Sequence, residues 1–297
     1  MTIRFGVSPI AWANDDMPEL GGDTELETIL SEIQELGFEG VELGGKFPRE
    51  AGVLKSLLSR FGLDLVGGWY STNLLVQSAE QEIAALQAHL SLLKALGSEV
   101  FVMAETSNAV HGKKSVSLEK TPLLEESEWA EFGGRLTEVS EYIAAQGLRV
   151  AYHHHLGTVV DGAEQLDRFL THTGDVVGLT LDTGHAVLGG IDPLSVIERV
   201  PERITHVHCK DVRLDVFKGA VQRGASFLDG VVDGMFTVPG DGSIDYRAVM
   251  MALKNIDYSG WIILEAEQDP AIANPKTYAE LGLRTLKMHA ETEGLLP

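Results

Sequence analysis

Residues 148–185, "LRVAYHHHLGTVVDGAEQLDRFLTHTGDVVGLTLDTGH", hold one complete strand–helix–strand passage. A β-like run (148–155) leads to a helical pattern (161–172), and that to a second β-like run, "VVGLTLD" (176–182). Two strands joined through a helix are parallel neighbours in one sheet. The unit repeats in both directions. Upstream, strands are predicted at 3–8, 40–43, 63–69 and 99–105. Helices are predicted at 24–37, 50–62, 78–96 and 126–146. The first helix shows the reason: in "TELETILSEIQELG", Leu26, Ile29, Leu30, Ile33 and Leu36 fall three and four apart, and Gly37 ends the run. Downstream follow a helix at 192–199, a strand at 204–210, a helix at 245–255, a strand at 260–267 and a closing helix at 276–293. Eight β-strands each followed by a helix give a (β/α)8 TIM barrel in the α/β class. No G-x-G-x-x-G follows the first strand, so an open dinucleotide-binding sheet is disfavoured.

The chain is expected to be one domain, residues 1–297, since no Pro/Gly/Ser-rich linker divides it. Two connections, about 106–125 and 211–244, are too long to be plain loops. The formal charge of −21 disfavours nucleic acid and anionic membranes as partners. No apolar run reaches the roughly 18 residues of a membrane span. The start has no basic stretch leading into an apolar one, and Cys209 is the sole cysteine; both fit a reducing cytoplasm. A neutral small molecule or a metal ion is the expected ligand, and a homo-oligomer stays open.

TIM-barrel sites lie at the C-terminal ends of the strands. Here those ends carry Glu42, Trp69, Glu105, the His153–His154–His155 triplet, Asp182, His206, His208, Lys210 and Glu265. Alternation along a strand puts His153 and His155 on one face and His154 on the other; His206 and His208 likewise share a face. Asp182, His208 and Glu265 come from three successive strands and can converge, with His153 as a fourth donor. A mixed imidazole–carboxylate set suits Mn2+, Co2+, Zn2+ or Fe2+. Taken singly, Asp182 reads equally as the N-cap of the next helix.

The motifs "LDTGHAVLGGIDP" (181–193), "RITHVHCKDV" (203–212), "VPGDGSIDY" (238–246) and "GWIILEAEQD" (260–269) resemble the xylose-isomerase-like superfamily. "FGVSPIAWANDDMPELGG" (5–22), "GVELGGKFPRE" (40–50), "GGWYSTNLL" (67–75) and "YHHHLGTVVDG" (152–162) narrow the resemblance to the myo-inosose dehydratase family, over nearly the whole chain. It implies a hydro-lyase that takes water from 2-keto-myo-inositol to give a trihydroxycyclohexane-1,2-dione in inositol catabolism. Mn2+ or Co2+ is the implied activator, and a glutathione requirement comes with the resemblance alone. The superfamily's usual metal set is Glu, Asp, His, Glu; here His153 stands at the first position, with Asp182, His208 and Glu265 at the others. His155 and His185 are then the candidates for proton transfer, with Glu265 sharing the base role. Lys46, Lys210, Arg213 and Glu105 are candidate contacts to substrate oxygens. Asn14 would bind a hydroxyl, and Trp12 and Trp69 would cover a ring face or simply pack in the core. A keto-sugar epimerase or isomerase using the same metal–enediolate chemistry is the alternative, separable by its product.

Overall fold

The computed structural model describes residues 2–296. Its strands are β1 (Ile3–Val7), β2 (Gly40–Val41), β3 (Asp64–Leu65), β4 (Trp69–Thr72), β5 (Val100–Glu105), β6 (Arg149–His153), β7 (Val177–Asp182), β8 (Ile204–Cys209), the short β9 (Asp211–Val212) and β10 (Phe236–Thr237), and β11 (Gly260–Leu264). The helices are α1 (Leu26–Leu36), α2 (Ala51–Arg60), α3 (Ala79–Ala85), α4 (Gln87–Leu96), α5 (Glu126–Ala145), α6 (Ala163–His172), α7 (Thr183–Leu188), α8 (Pro193–Arg199), α9 (Leu214–Gln222), α10 (Phe227–Val232), α11 (Tyr246–Asn255) and α12 (Pro275–Glu293). One sheet runs β3-β2-β1-β11-β8-β7-β6-β5-β4, and every ladder in it is parallel. Its two ends, β3 and β4, are consecutive pieces of residues 64–72, so the sheet closes into a barrel with its third strand broken.

The break lies at Gly67 and Gly68. A Cβ on Gly68 would stand 2.6 Å from the Cβ of Leu43. The carbonyl oxygens there still find partners: Gly67 O accepts from the Leu43 amide at 2.9 Å, and Gly68 O lies 3.2 Å from His89 Nε2. The expected strand 63–69 therefore becomes β3 plus β4 and extends to Thr72.

The outer core lies between sheet and helices, with Leu30, Ile33, Phe101, Phe132, Phe169 and Leu253 all fully buried. α1 contributes its predicted stripe and stops at Gly37, whose φ of 82° favours glycine. The barrel interior divides by height. Its floor is filled by Val66, Trp261 and Ile263, with Gly6 and Gly40 leaving room for the large side chains. Higher up, the inward positions turn polar: Thr180 and Asp182 on β7, His206 and His208 on β8, His153 on β6. The register sets Asp182 beside His208, and Ile263 beside His208 places Glu265 just past the end of β11.

Two other expectations change. The predicted helix 78–96 is two helices, α3 and α4, meeting at Leu86. The segment 211–244 is not a bare loop, since it carries β9, α9, α10 and β10. These enclose a second apolar cluster of Val212, Phe227, Leu228, Val231, Met235 and Phe236 with Leu156. The segment 106–125 holds no helix or extended strand; its Ser117 forms an isolated bridge to Ser226.

Candidate metal centre and cavity

At the C-terminal end of the barrel, His153, Asp182, His208 and Glu265 present donor atoms that all lie within 4.8 Å of one another, and all four residues are buried. His153 Nδ1 lies 2.7 Å from the carbonyl oxygen of His154, so that nitrogen carries the proton and donates. Its Nε2 lone pair then faces Asp182 Oδ2 at 3.5 Å. His208 donates from Nε2 to Glu42 Oε1 at 3.0 Å, and its Nδ1 faces Glu265 Oε2 at 3.0 Å and Asp182 Oδ2 at 3.7 Å. Acceptors therefore confront acceptors in a buried space, and among the described residues Asp182 Oδ2 and His208 Nδ1 have no hydrogen-bond partner. Such an arrangement requires a positive charge at its centre. Burial alone would lower the His208 pKa, yet Glu42 and Glu265 outweigh burial and raise it well above the ordinary value, so a proton on Nδ1 supplies that positive charge when no cation does. Two imidazoles and two carboxylates fit a divalent cation in that place. Glu42 orients His208 from behind, as carboxylates commonly do for metal-binding histidines.

Asp182 turns out to serve as cap and cluster member at once. Its Oδ1 accepts from the His185 amide at 2.8 Å, capping α7, while Oδ2 points into the cluster. Glu42 also accepts from His206 Nε2 at 2.9 Å. Burial would raise the Glu42 carboxyl, but the two imidazoles outweigh it and hold it at about 2.

Lys210 lies behind the cluster, fully buried. Its Nζ is 2.5 Å from Glu265 Oε1, 2.6 Å from Glu267 Oε1 and 3.0 Å from His185 Nε2. The ammonium thus engages two members, His185 and Glu267, of a further His155–His185–Glu267 group and supplies the positive charge there. Burial opposes its charge, but Glu265, Glu267 and Asp182 outweigh burial and raise its pKa. Glu267 is pushed up to about 7, by burial first.

A cavity of about 430 Å³ opens over this centre, walled by His153, His155, His208, Glu265, Glu267 and Trp69. His155 donates from Nδ1 to the Leu156 carbonyl at 2.8 Å, which leaves its Nε2 with a free lone pair. Its ring packs on that of His185 with centroids 3.8 Å apart and planes tilted by 36°. Burial, then His111 and His153, keep His155 neutral; burial, then His155 and Lys210, do the same for His185. Trp69, 38% exposed, meets His153 and His155 edge-on and forms one wall.

Other expected contacts lie elsewhere. Trp12 is in the outer core and donates to Glu32 at 2.7 Å. Asn14 shapes its own turn, its Oδ1 accepting from the Asp16 and Met17 amides. Lys46 is exposed and donates to the Gly22 carbonyl. Glu105 is buried among Thr72, Leu74 and Ser107, where its oxygens are used up. Arg213 ties down β10 and Asp241. Lys210 and His185 sit behind the cavity wall rather than on it. His154 turns away from the cavity, yet it is buried, with Nε2 accepting weakly from the Asp182 amide at 3.4 Å.

Sequence reasoning gave no role to Glu42, Glu267, His206 or His111. Glu267 stands two residues beyond Glu265 on extended chain, a spacing that could have found it. Glu42 ends the second strand and was equally visible. His111 comes from the irregular segment 106–125, where no periodicity points to it.

The chain is similar to known proteins throughout. The model of the xylose isomerase-like TIM barrel family matches residues 30–289. The rhizopine catabolism protein MocC of Rhizobium meliloti is 44% identical over 294 residues, 99% of this chain and 90% of that one. The inosose dehydratase of Geobacillus thermodenitrificans is 41% identical over 295 residues, 99% and 98% of the two chains. That of Lacticaseibacillus casei is 42% identical over 282 residues, 94% of each. Among solved structures, an L-ribulose 3-epimerase superposes with a TM-score of 0.70 at 17% identity, over 99% of this chain and 96% of that one. A probable 3-DHS dehydratase, AsbF of Bacillus anthracis, gives 0.67 at 16%, over 96% and 98%. Those two likenesses concern the fold. With a family model spanning most of its length and full-length relatives above 40% identity, the chain belongs to the xylose isomerase-like TIM barrel family, as a homologue of the inosose dehydratases and MocC within it.

Proposed function

We propose that the protein is a divalent-metal-dependent hydro-lyase that converts 2-keto-myo-inositol to a trihydroxycyclohexane-1,2-dione. The observation that carries this reading is a histidine with an uncommitted nitrogen, His155, set beside a four-donor metal centre in one cavity. Full-length similarity to proteins named inosose dehydratase supports the substrate. His153, Asp182, His208 and Glu265 would hold Mn2+ or Co2+, with Zn2+ or Fe2+ also compatible with the donors. When bound, the ion acts as a Lewis acid on the ketone and makes the neighbouring C–H acidic.

The chain's own groups do the rest. His155 Nε2 removes the proton from the hydroxyl-bearing carbon beside the ketone. Protonated by that step, it returns the proton to the departing β-hydroxyl, which leaves as water. The remaining hydroxy-enone tautomerises to the 1,2-dione, so one water is lost and no redox partner is needed. His185 acts through His155 by packing against its ring, and Lys210 holds Glu265 and Glu267 in place. Glu265 Oε1 is held by Lys210 and Oε2 points into the four-donor cluster, so we assign it to the metal and not to proton removal. Trp69 offers a flat apolar wall to the carbocycle. Glutathione dependence rests on the family resemblance, and a cytoplasmic setting on the lone buried cysteine.

The test incubates metal-loaded protein with 2-keto-myo-inositol and follows the product by mass and ultraviolet absorbance, with and without glutathione. Loss of one water and appearance of the dione are expected. His155→Ala should keep its metal and slow turnover at least about 100-fold. A product isomeric with the substrate would replace this reading by the epimerase or isomerase alternative.

A further inference from the structure

Most histidines around this centre have a ring nitrogen committed to the protein. His153 and His155 donate to backbone carbonyls, His206 and His208 bond Glu42, and His185 Nδ1 accepts from the Leu156 amide. His111 differs. It lines the cavity, and among the described residues neither of its nitrogens has a hydrogen-bond partner; Nδ1 is buried besides. A polar atom held out of water with no partner costs stability unless something in use satisfies it.

The placement of His111 is fixed from outside its own segment. The Val110 amide donates to the Gly157 carbonyl at 2.8 Å. Gly157 has φ +77°, and a Cβ there would lie 2.9 Å from the His111 backbone nitrogen. The loop after β6 therefore presses directly on the segment that carries His111. The outcome is an imidazole whose ring centroid is 4.8 Å from that of His155, with Phe227 behind it at 6.2 Å.

We infer that His111 is a substrate-binding residue that reads one neutral ring hydroxyl, on the side of the cavity that the metal centre does not reach. The inference rests on the polyol-ketone reading above. A neutral imidazole offers one N–H and one lone pair, which matches a hydroxyl, itself both donor and acceptor. Burial lowers the His111 pKa against the pull of Asp16, and His153 and Lys113 lower it further, so it meets substrate uncharged. The surrounding wall agrees: Asp15, Asp16, Glu42, Glu265 and Glu267 outnumber its one lysine, Lys113, and make it unsuited to carboxylated or phosphorylated analogues. A site built to bond a hydroxyl rejects a substrate lacking it, because its own polar atoms are then stranded.

The experiment measures binding of 2-keto-myo-inositol and its set of monodeoxy analogues to metal-loaded wild type, His111→Ala and His111→Gln, by calorimetry. Wild type should bind one particular deoxy analogue roughly tenfold more weakly than the parent. In His111→Ala the parent should weaken by a similar factor, and the penalty for that one analogue should vanish while the others keep theirs. Gln, which retains a donor and an acceptor, should restore part of the discrimination. Metal content should be unchanged in both variants. Equal affinities and an unchanged analogue pattern in His111→Ala, or uniform weakening for every analogue, would overturn the assignment. Wild-type binding without turnover would sink the dehydratase reading while leaving the His111 comparison intact. Failure of wild type to bind any of these compounds would overturn both.

Discussion

At the scale of single residues, the centre works by tautomer control. Two backbone carbonyls and one carboxylate decide which nitrogen of His153, His155 and His208 is bare, and so decide what each can do. Strand alternation made the facing of His153 and His155 legible from the sequence, and the strand-end rule brought Asp182, His208 and Glu265 to one place. The hydrogen bonds that choose the nitrogen were not legible, because they depend on backbone geometry after β6 and on Glu42, more than 160 positions away from its imidazole partners. Trp12 takes the core-packing alternative, and Asn14, Lys46 and Arg213 are held by other partners for a related reason. Each has the right chemistry near a strand end, but a nearer partner claims it. The four-donor set gives a direct prediction. Asp182→Asn, His208→Ala and Glu265→Gln should each lower the divalent metal retained after dialysis, by elemental analysis, and abolish turnover. Retention at wild-type level in all three would remove them from the metal.

Among the elements, strands and amphipathic helices followed the sequence pattern closely, and irregular connections did not. Periodicity reports which face is buried, so α1, α5 and α12 were visible. It is silent on where a strand is interrupted by close backbone approach, as at Gly67 and Gly68, or on what fills 211–244. It is equally silent on the contact between the β6 loop and the 106–125 segment. That contact is testable at Gly157. An alanine there must take up a left-handed backbone and push against His111. Gly157→Ala should cost about 1–3 kcal/mol by denaturant unfolding, and should raise KM for substrate more than it lowers kcat. If neither stability nor KM changes, the two loops do not hold each other.

For the molecule as a whole, the alternation of eight strand–helix units was enough to name the architecture, since a parallel sheet with right-handed crossovers has few ways to finish. A cation held by His153, Asp182, His208 and Glu265 would stabilise that closed form, because it would bind the folded chain and not the unfolded one. Adding the activating divalent ion at about a hundredfold over its Kd should stabilise the fold by roughly 2.7 kcal/mol, raising Tm by several degrees; chelation should reverse it. A Tm indifferent to both treatments would separate the centre from the fold. The pairing of β1 with β11 sets Ile3 beside Gly260, and Glu265 follows directly on that last strand. During synthesis, His153, Asp182 and His208 leave the ribosome long before Glu265 does. A growing chain therefore carries three of the four donors on an open sheet and gains the fourth only when β11 docks between β8 and β1. Binding by all four donors would thus wait for the same strand that closes the barrel.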